Sequence, residues 1–346
     1  MRKLVNVLKY FLLLGLAVGM MWYALRGISF GLVLDQLGEV NFGWLALALL
    51  VSVGSYLSRA YRWGMQLHPL GFPVSLKATG TALMIGYLAN LVFPRMGEVL
   101  RCTILRRNEG IPVEASFGTV ITERVLDLVM LLSLIGLTLI IEFDRLSGFF
   151  WGLFSGRFSG LAAHMGQVYV AGAILVLLTG AGGWLLYKYL DQLRQYVFFN
   201  KVAGLLKGLG AGVISVRRME RKGLFLLHLI LIWGGYFLTT YLVLISLPAT
   251  AGLGPAAALA IVAIGGLGMS APVQGGIGVF HLMVSSTLLL YGLTRESGMA
   301  FALLLHTSQT LLVVLIGGLS LLISLAQPPH EPNPVPQNTP VHEFGK

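Results

Sequence analysis

Six apolar runs, each long enough to cross a bilayer, recur along this chain at about residues 5–25, 44–63, 113–141, 168–187, 223–247 and 299–325. A spanning helix needs about 20 apolar residues. The runs therefore predict an all-α polytopic membrane protein with about six full transmembrane helices. Charged residues support this, at 11% of the chain against about 25% in soluble domains. The chain reads as one membrane domain over residues 1–325 with a Pro-rich, disordered cytoplasmic tail over 326–346.

The net charge of +10 does not point to nucleic acid. Lys and Arg cluster just outside the apolar runs, as cytoplasmic loops do under the positive-inside rule. The densest such stretch is Lys188–Lys222, which follows the run at 168–187, and residues 146–166 read as an amphipathic external loop. At the N-terminus, Arg2, Lys3 and Lys9 precede Tyr10–Leu25. That run ends without a small-x-small cleavage site, so it is a retained helix with a cytoplasmic N-terminus. It carries Gly15 and Gly19 at GxxxG spacing, a helix-contact signal. A linker with Asp35 and Glu39 follows. One cysteine, Cys102, excludes an intramolecular disulfide and Cys-rich metal sites.

Two shorter apolar segments break the pattern. Residues 76–93 end in Asn90-Leu91-Val92-Phe93-Pro94-Arg95-Met96-Gly97-Glu98, and an interfacial stretch with Arg101, Arg106 and Arg107 follows. Arg59, Arg62 and Lys77 read as cytoplasmic, and so do the basic residues after the turn. Residues 78–93 are therefore expected to enter the membrane and return to the same side. The second segment, Ala256–Met269, reaches Ser270-Ala271-Pro272-Val273-Gln274-Gly275-Gly276-Ile277-Gly278 and continues to Tyr291. Its arms of about 14 residues suit a re-entrant limb. Charge counting brings the first hairpin in from the cytoplasm and the second from outside. Interrupted segments at matching places in two halves point to an inverted repeat with a site between them. Because non-helical backbone at membrane depth must be buried or line a cavity, the two turns are expected to face each other.

Charged residues inside these segments are the candidate site. Arg95 and Arg101 offer guanidinium forks that match phosphate geometry, with Glu98 to orient them. The alternative is a structural Arg95–Glu98 ion pair. Glu123 and Asp127 lie four apart on one helix face, and Arg124 reaches Asp127 at three. Near Arg95 and Arg101 this triad would complete a charge-balanced network, either for a substrate or as a lock on the hairpin. Arg59 and Arg62 read as a positive-inside stop. Gln274, Gly275 and Gly276 let backbone approach a ligand, or permit a tight turn. His281, His306 and Gln309 have no pairing that suggests metal ligation, and no cofactor is expected. No Walker A loop, HExxH or Ser-His-Asp order appears.

At Asn90–Arg101, Thr122-Glu123-Arg124-Val125-Leu126-Asp127 and Pro272…Gly275-Gly276-Ile277-Gly278, the sequence resembles the lysylphosphatidylglycerol synthase transmembrane-region family. The resemblance covers about residues 5–325. It implies a bacterial or archaeal cytoplasmic-membrane protein that moves a polar-headed lipid between leaflets. Two-part relatives add a soluble domain that charges phosphatidylglycerol with lysine. No such domain follows Leu325 here, so enzyme activity is not expected. The partners expected are a membrane lipid and either a second copy of the chain or a separate lipid-synthesis enzyme. The rival readings are an intramembrane lipid transferase using Glu98, Glu123 or Asp127 as base, and a non-transporting membrane partner of such an enzyme.

Overall fold

A computed structural model describes residues 2–143, 145 and 221–330, with side chains from Leu14 onward. The expected span at 168–187, the loop at 146–166, nearly all of the basic stretch and most of the tail lie outside the described residues. Among the described residues all regular structure is helical: α1 (Arg2–Leu25), α2 (Phe30–Gly38), α3 (Phe42–Leu67), α4 (Leu76–Val92), α5 (Gly97–Glu109), α6 (Val113–Ile141), α7 (Lys222–Ser246), α8 (Pro255–Met269), α9 (Val279–Leu289) and α10 (Arg295–Ala326). Single 3₁₀ turns, His68–Leu70 and Gln274–Gly276, follow α3 and join α8 to α9.

Local chemistry sets these boundaries. Asn41 Oδ1 accepts from the backbone N–H of Gly43 and Trp44, Ser75 Oγ from that of Ala78, and Thr294 Oγ1 from that of Ser297. Each satisfies orphan donors at a helix start. Pro255 opens α8 at a position that needs no N–H. Gly110 closes α5 in the left-handed conformation, φ 72°.

Four of these helices, α3, α6, α7 and α10, are long and apolar enough to cross a membrane, and α1 with α2 makes a fifth if that bent pair is one span. The protein is a multi-pass membrane protein. The expected linker after α1 is instead the short helix α2, set at 87° to α1. Gly15 and Gly19 touch nothing on this chain's described residues, so the GxxxG face is not an internal contact. The side of α1 that packs is the one bearing Ala17 and Met21, which closes on Gly278.

Both expected hairpins form, α4–α5 and α8–α9, and the core shows where each one opens. One buried cluster joins Trp63 and Leu67 at the end of α3, Ala78 and Ala82 early in α4, Leu105 late in α5 and Val120 early in α6. A second joins Ala48 at the start of α3, Leu247 just past the end of α7, Ala257 early in α8, Leu288 late in α9 and Phe301 early in α10. Ala48 and Trp63 are separated by about 22 Å of helix. The hairpins thus open to opposite ends of the bundle, and their tips meet between. Arg95 donates from Nη2 to Ser270 O at 3.2 Å, and a methyl on Gly275 would stand 3.3 Å from Leu91 Cδ2.

The two hairpins and their flanking helices pack reciprocally. α3 lies along α7, where a methyl on Gly235 would stand 2.0 Å from Ser55 Oγ and Ser52 Oγ sits 3.1 Å from Thr239 Oγ1. Small and hydroxyl residues bring helices together in this way when lipid supplies no hydrophobic drive. The first arm of each hairpin packs on the long helix that follows the other hairpin, α4 on α10 and α8 on α6. A methyl on Gly317 of α10 would stand 2.8 Å from Met84 O of α4, and one on Gly266 of α8 would stand 2.8 Å from Leu131 Cδ1 of α6.

Candidate functional site

An ion centre forms where α3, α5 and α6 meet. Glu123 Oε1 lies 2.9 Å from Arg59 Nη1, 3.2 Å from Arg124 Nη2 and 3.7 Å from Arg62 Nη2. Its other oxygen lies 3.0 Å from Arg101 Nη1. Asp127 meets Arg59 at 2.8 Å, Arg62 at 3.3 Å and Arg124 at 3.7 Å. Helical spacing builds this. Arg59 and Arg62 share one face of α3, Glu123 and Asp127 one face of α6, and the two faces oppose each other.

The centre is deep. Arg59 stands eight residues, about 12 Å, inside the end of α3, and Glu123 stands ten residues, about 15 Å, inside the start of α6. Arg59, Arg62, Arg101 and Glu123 are buried, at 4%, 0%, 2% and 1% exposure. The Arg124 side chain is 44% exposed and marks the open edge. Aromatic faces hold the guanidinium planes: Arg101 lies 4.7 Å over Trp63, Arg62 5.7 Å over Phe225 and Arg59 6.0 Å over Tyr236. Trp63 is itself fixed by its Nε1–H donating to Thr119 Oγ1 at 2.9 Å.

This centre corrects four expectations. Arg59 and Arg62 are not a stop at a helix end, because eight and five residues of α3 still follow them. Arg95 does not join Arg101: it sits exposed at the hairpin tip and makes no ion pair among the described residues. An Arg95–Glu98 pair does not form either, and Glu98 Oε2 is buried with no hydrogen bond. The network is also not charge-balanced, since four guanidinium groups face two carboxylates. Arg101, Glu123, Arg124 and Asp127 come together as expected.

The remaining candidates lie at the hairpin tips. Asn90 closes the first turn, accepting at Oδ1 from Gly97 N–H at 2.7 Å. Arg95 holds φ 63°, the one positive-φ residue other than glycine among those described. Such strain costs about 1–3 kcal/mol and persists where surrounding contacts enforce it. Gly275 and Gly276 adopt φ 55° and 75°, as the second turn requires. Gln274 is buried, and neither its amide oxygen nor its nitrogen has a partner among the described residues.

A polar face extends from the ion centre along α3, α4 and α10. Tyr56 donates to Gln309 Oε1 at 3.2 Å and packs edge-on to Tyr87 at 5.6 Å. His281 and His306 are ring neighbours at 4.7 Å, a pairing that their 25-residue separation gave no sign of. Among the described residues no group of three or more His, Cys, Asp or Glu could hold a metal ion.

A family model described as "Lysylphosphatidylglycerol synthase TM region" matches residues 10–317. The chain is also similar to "Glycosyltransferase AglD" of Haloferax volcanii, at 27% identity over 192 residues, 55% of this chain. That match spans 27% of the length of the relative. No solved structure matches the chain.

Proposed function

The chain belongs to the lysylphosphatidylglycerol synthase transmembrane-region family, and from that membership we propose that it moves a polar-headed, phosphate-bearing lipid between the leaflets of the cytoplasmic membrane. The observation that carries this reading is the arginine centre, deep within apolar helices beside two hairpin tips that meet. Charge at membrane depth costs about 2.5–3.5 kcal/mol per residue on insertion scales, and four arginines concentrated there call for an anion. The headgroup enters at the open edge beside Arg124 while the acyl chains stay in the bilayer.

The hairpins are re-entrant limbs of an inverted repeat. Reciprocal packing, α4 on α10 and α8 on α6, supports that symmetry, and rocking of the halves about the tip contact gives alternating access. Lys77, Arg106 and Arg107 mark the Trp63 end as cytoplasmic. Arg107 also donates to Ser324 O and to Gln327 O, so the end of α10 shares that side. Arg2, Lys3 and Lys9 place the N-terminus there as well.

A lipid-transferase reading needs a free carboxylate as base. Every oxygen of Glu123 and Asp127 faces a guanidinium, which fits charge holding rather than proton abstraction, and leaves Glu98, whose Oε2 is buried without a hydrogen bond, as the one of the three candidate acids that reading could use. The test is leaflet transfer of fluorescently labelled phosphatidylglycerol in proteoliposomes. Arg101→Gln is expected to slow transfer at least tenfold; transfer at the wild-type rate, or none above protein-free vesicles with wild-type protein, overturns the reading.

A further inference from the structure

The charge count of the ion centre says more than that an anion binds. Arg59, Arg62, Arg101 and Arg124 carry four positive charges against the two carboxylates of Glu123 and Asp127, an excess of two. No nearby acid removes it. Glu98, one turn before Arg101 on α5, makes no ion pair among the described residues and so neutralises none of the four guanidinium groups directly. The other titratable groups beside the centre are Tyr56, Tyr87 and Tyr236 at Arg59, Cys102 at Arg101 and His228 toward Arg62, none of them an acid of the carboxylate range.

Hydrogen bonding leads to the same conclusion. Arg62 Nε and Nη1, Arg59 Nε, and all three nitrogens of Arg101 are buried without a hydrogen-bond partner. Arg101 Nη1 does stand 3.0 Å from Glu123 Oε2, but it is not aligned to donate. A buried donor left unsatisfied costs about 1–3 kcal/mol, so six of them on three adjacent arginines favour an added acceptor that several can share. A phosphodiester offers two terminal oxygens and one charge. A terminal phosphate offers three oxygens and close to two charges at neutral pH.

We infer that the arginine centre recognises a terminal, doubly charged phosphate in preference to a singly charged phosphodiester. The inference rests on the transport reading of the same site and names its substrate class: a lipid ending in phosphate rather than an ordinary phosphoglyceride. It enters past Arg124 and takes the open donors of Arg62 and Arg101, leaving Glu123 and Asp127 to hold the arginines in place.

The test is calorimetric titration of the detergent-purified chain with dioctanoyl phosphatidic acid, dioctanoyl phosphatidylglycerol and inorganic phosphate. At pH 8 phosphatidic acid is expected to bind at least tenfold tighter than phosphatidylglycerol. At pH 5.5, below the second ionisation of a phosphate monoester near about 6, the preference is expected to shrink to about threefold or less. Arg62→Gln lowers the excess to one and is expected to erase the preference. Asp127→Asn raises the excess to three and widens the preference, and it decides the matter should Arg62→Gln not fold. Equal affinity for the two lipids at pH 8 overturns the inference and leaves transport, read separately by leaflet transfer, standing. Inorganic phosphate binding as tightly as phosphatidic acid assigns the site to the free ion and overturns the lipid class. No binding of any of the three overturns both readings.

Discussion

Glu123→Gln removes one charge and almost no volume, at the place where four guanidinium groups share one carboxylate. Glu123 is 1% exposed, and Arg59, Arg101 and Arg124 lie within 3.2 Å of it. Removing one member of a buried ion pair costs about 3–5 kcal/mol, because the partner charge stays behind without compensation. Here the excess rises from two to three. At about 2 °C per kcal/mol for a chain of this size, the unfolding midpoint should fall by about 6–10 °C. The protein carries its own reporter: Cys102 is the one thiol in the chain, fully buried on α5 next to Arg101. A thiol-reactive dye in a heating ramp therefore reads the opening of this hairpin directly. Arg101→Gln combined with Glu123→Gln removes the orphaned charge along with its partner. The double variant should recover at least about 1 kcal/mol relative to the sum of the single ones. A Glu123→Gln midpoint within about 2 °C of wild type, or strict additivity in the double variant, would refute the account of the centre as a strained, positively charged unit.

Four further outcomes are expected. A methyl on Gly97 would stand 2.1 Å from Gly86 O on the facing arm, so Gly97→Ala should spread α4 from α5 and cost about 1–3 kcal/mol or more, seen as earlier dye labelling of Cys102. Trp63→Phe keeps a ring under Arg101 but removes the donor to Thr119 Oγ1, which keeps only its own bond to Ser116 O, and should cost about 1 kcal/mol in the same ramp. Gly278→Ala is strained at φ 83° and drives its methyl to 2.6 Å from Met21 N; loosening of α1 should show as faster hydrogen exchange over residues 17–24 with the ion centre unchanged. Arg107→Ala removes the donor to Ser324 O and Gln327 O, and limited proteolysis should then cut near residue 327 sooner than in the wild type.

The hairpins were legible because charge and glycine mark the first turn, proline and glycine mark the second, and arms of 11 to 17 residues are short for a membrane crossing. Half of the ion centre was legible too. Glu123, Arg124 and Asp127 are acids and a base within an apolar run, where their cost makes them conspicuous. Arg59 and Arg62 escaped for the opposite reason. A basic residue near the end of an apolar run satisfies the positive-inside rule, so only the true end of α3 at Leu67 shows that they are inside. Their spacing of three, set against the spacing of four between Glu123 and Asp127, was the available signal. Arg95 was expected beside Arg101 because both are basic residues near one turn, but its place at the exposed tip separates them. Its side chain instead bridges the two hairpins through Ser270 O. The His281–His306 contact lies between two helices whose register no local pattern sets.

The reciprocal packing of hairpins and following helices also sets an order of assembly. Every member of the ion centre lies before residue 128, on α3, α5 and α6, so its two carboxylates can pair with the arginines before the rest of the chain is made. The seam between α4 and α10 is different. Gly317, which lets the backbone of α4 come close at Met84, is synthesised 233 residues after it. At about 5–20 residues per second that delay is roughly 12–47 s. Throughout it, one side of the first hairpin faces lipid without its final neighbour, and this is the interval in which an assembly factor or a membrane protease would find the nascent chain incomplete.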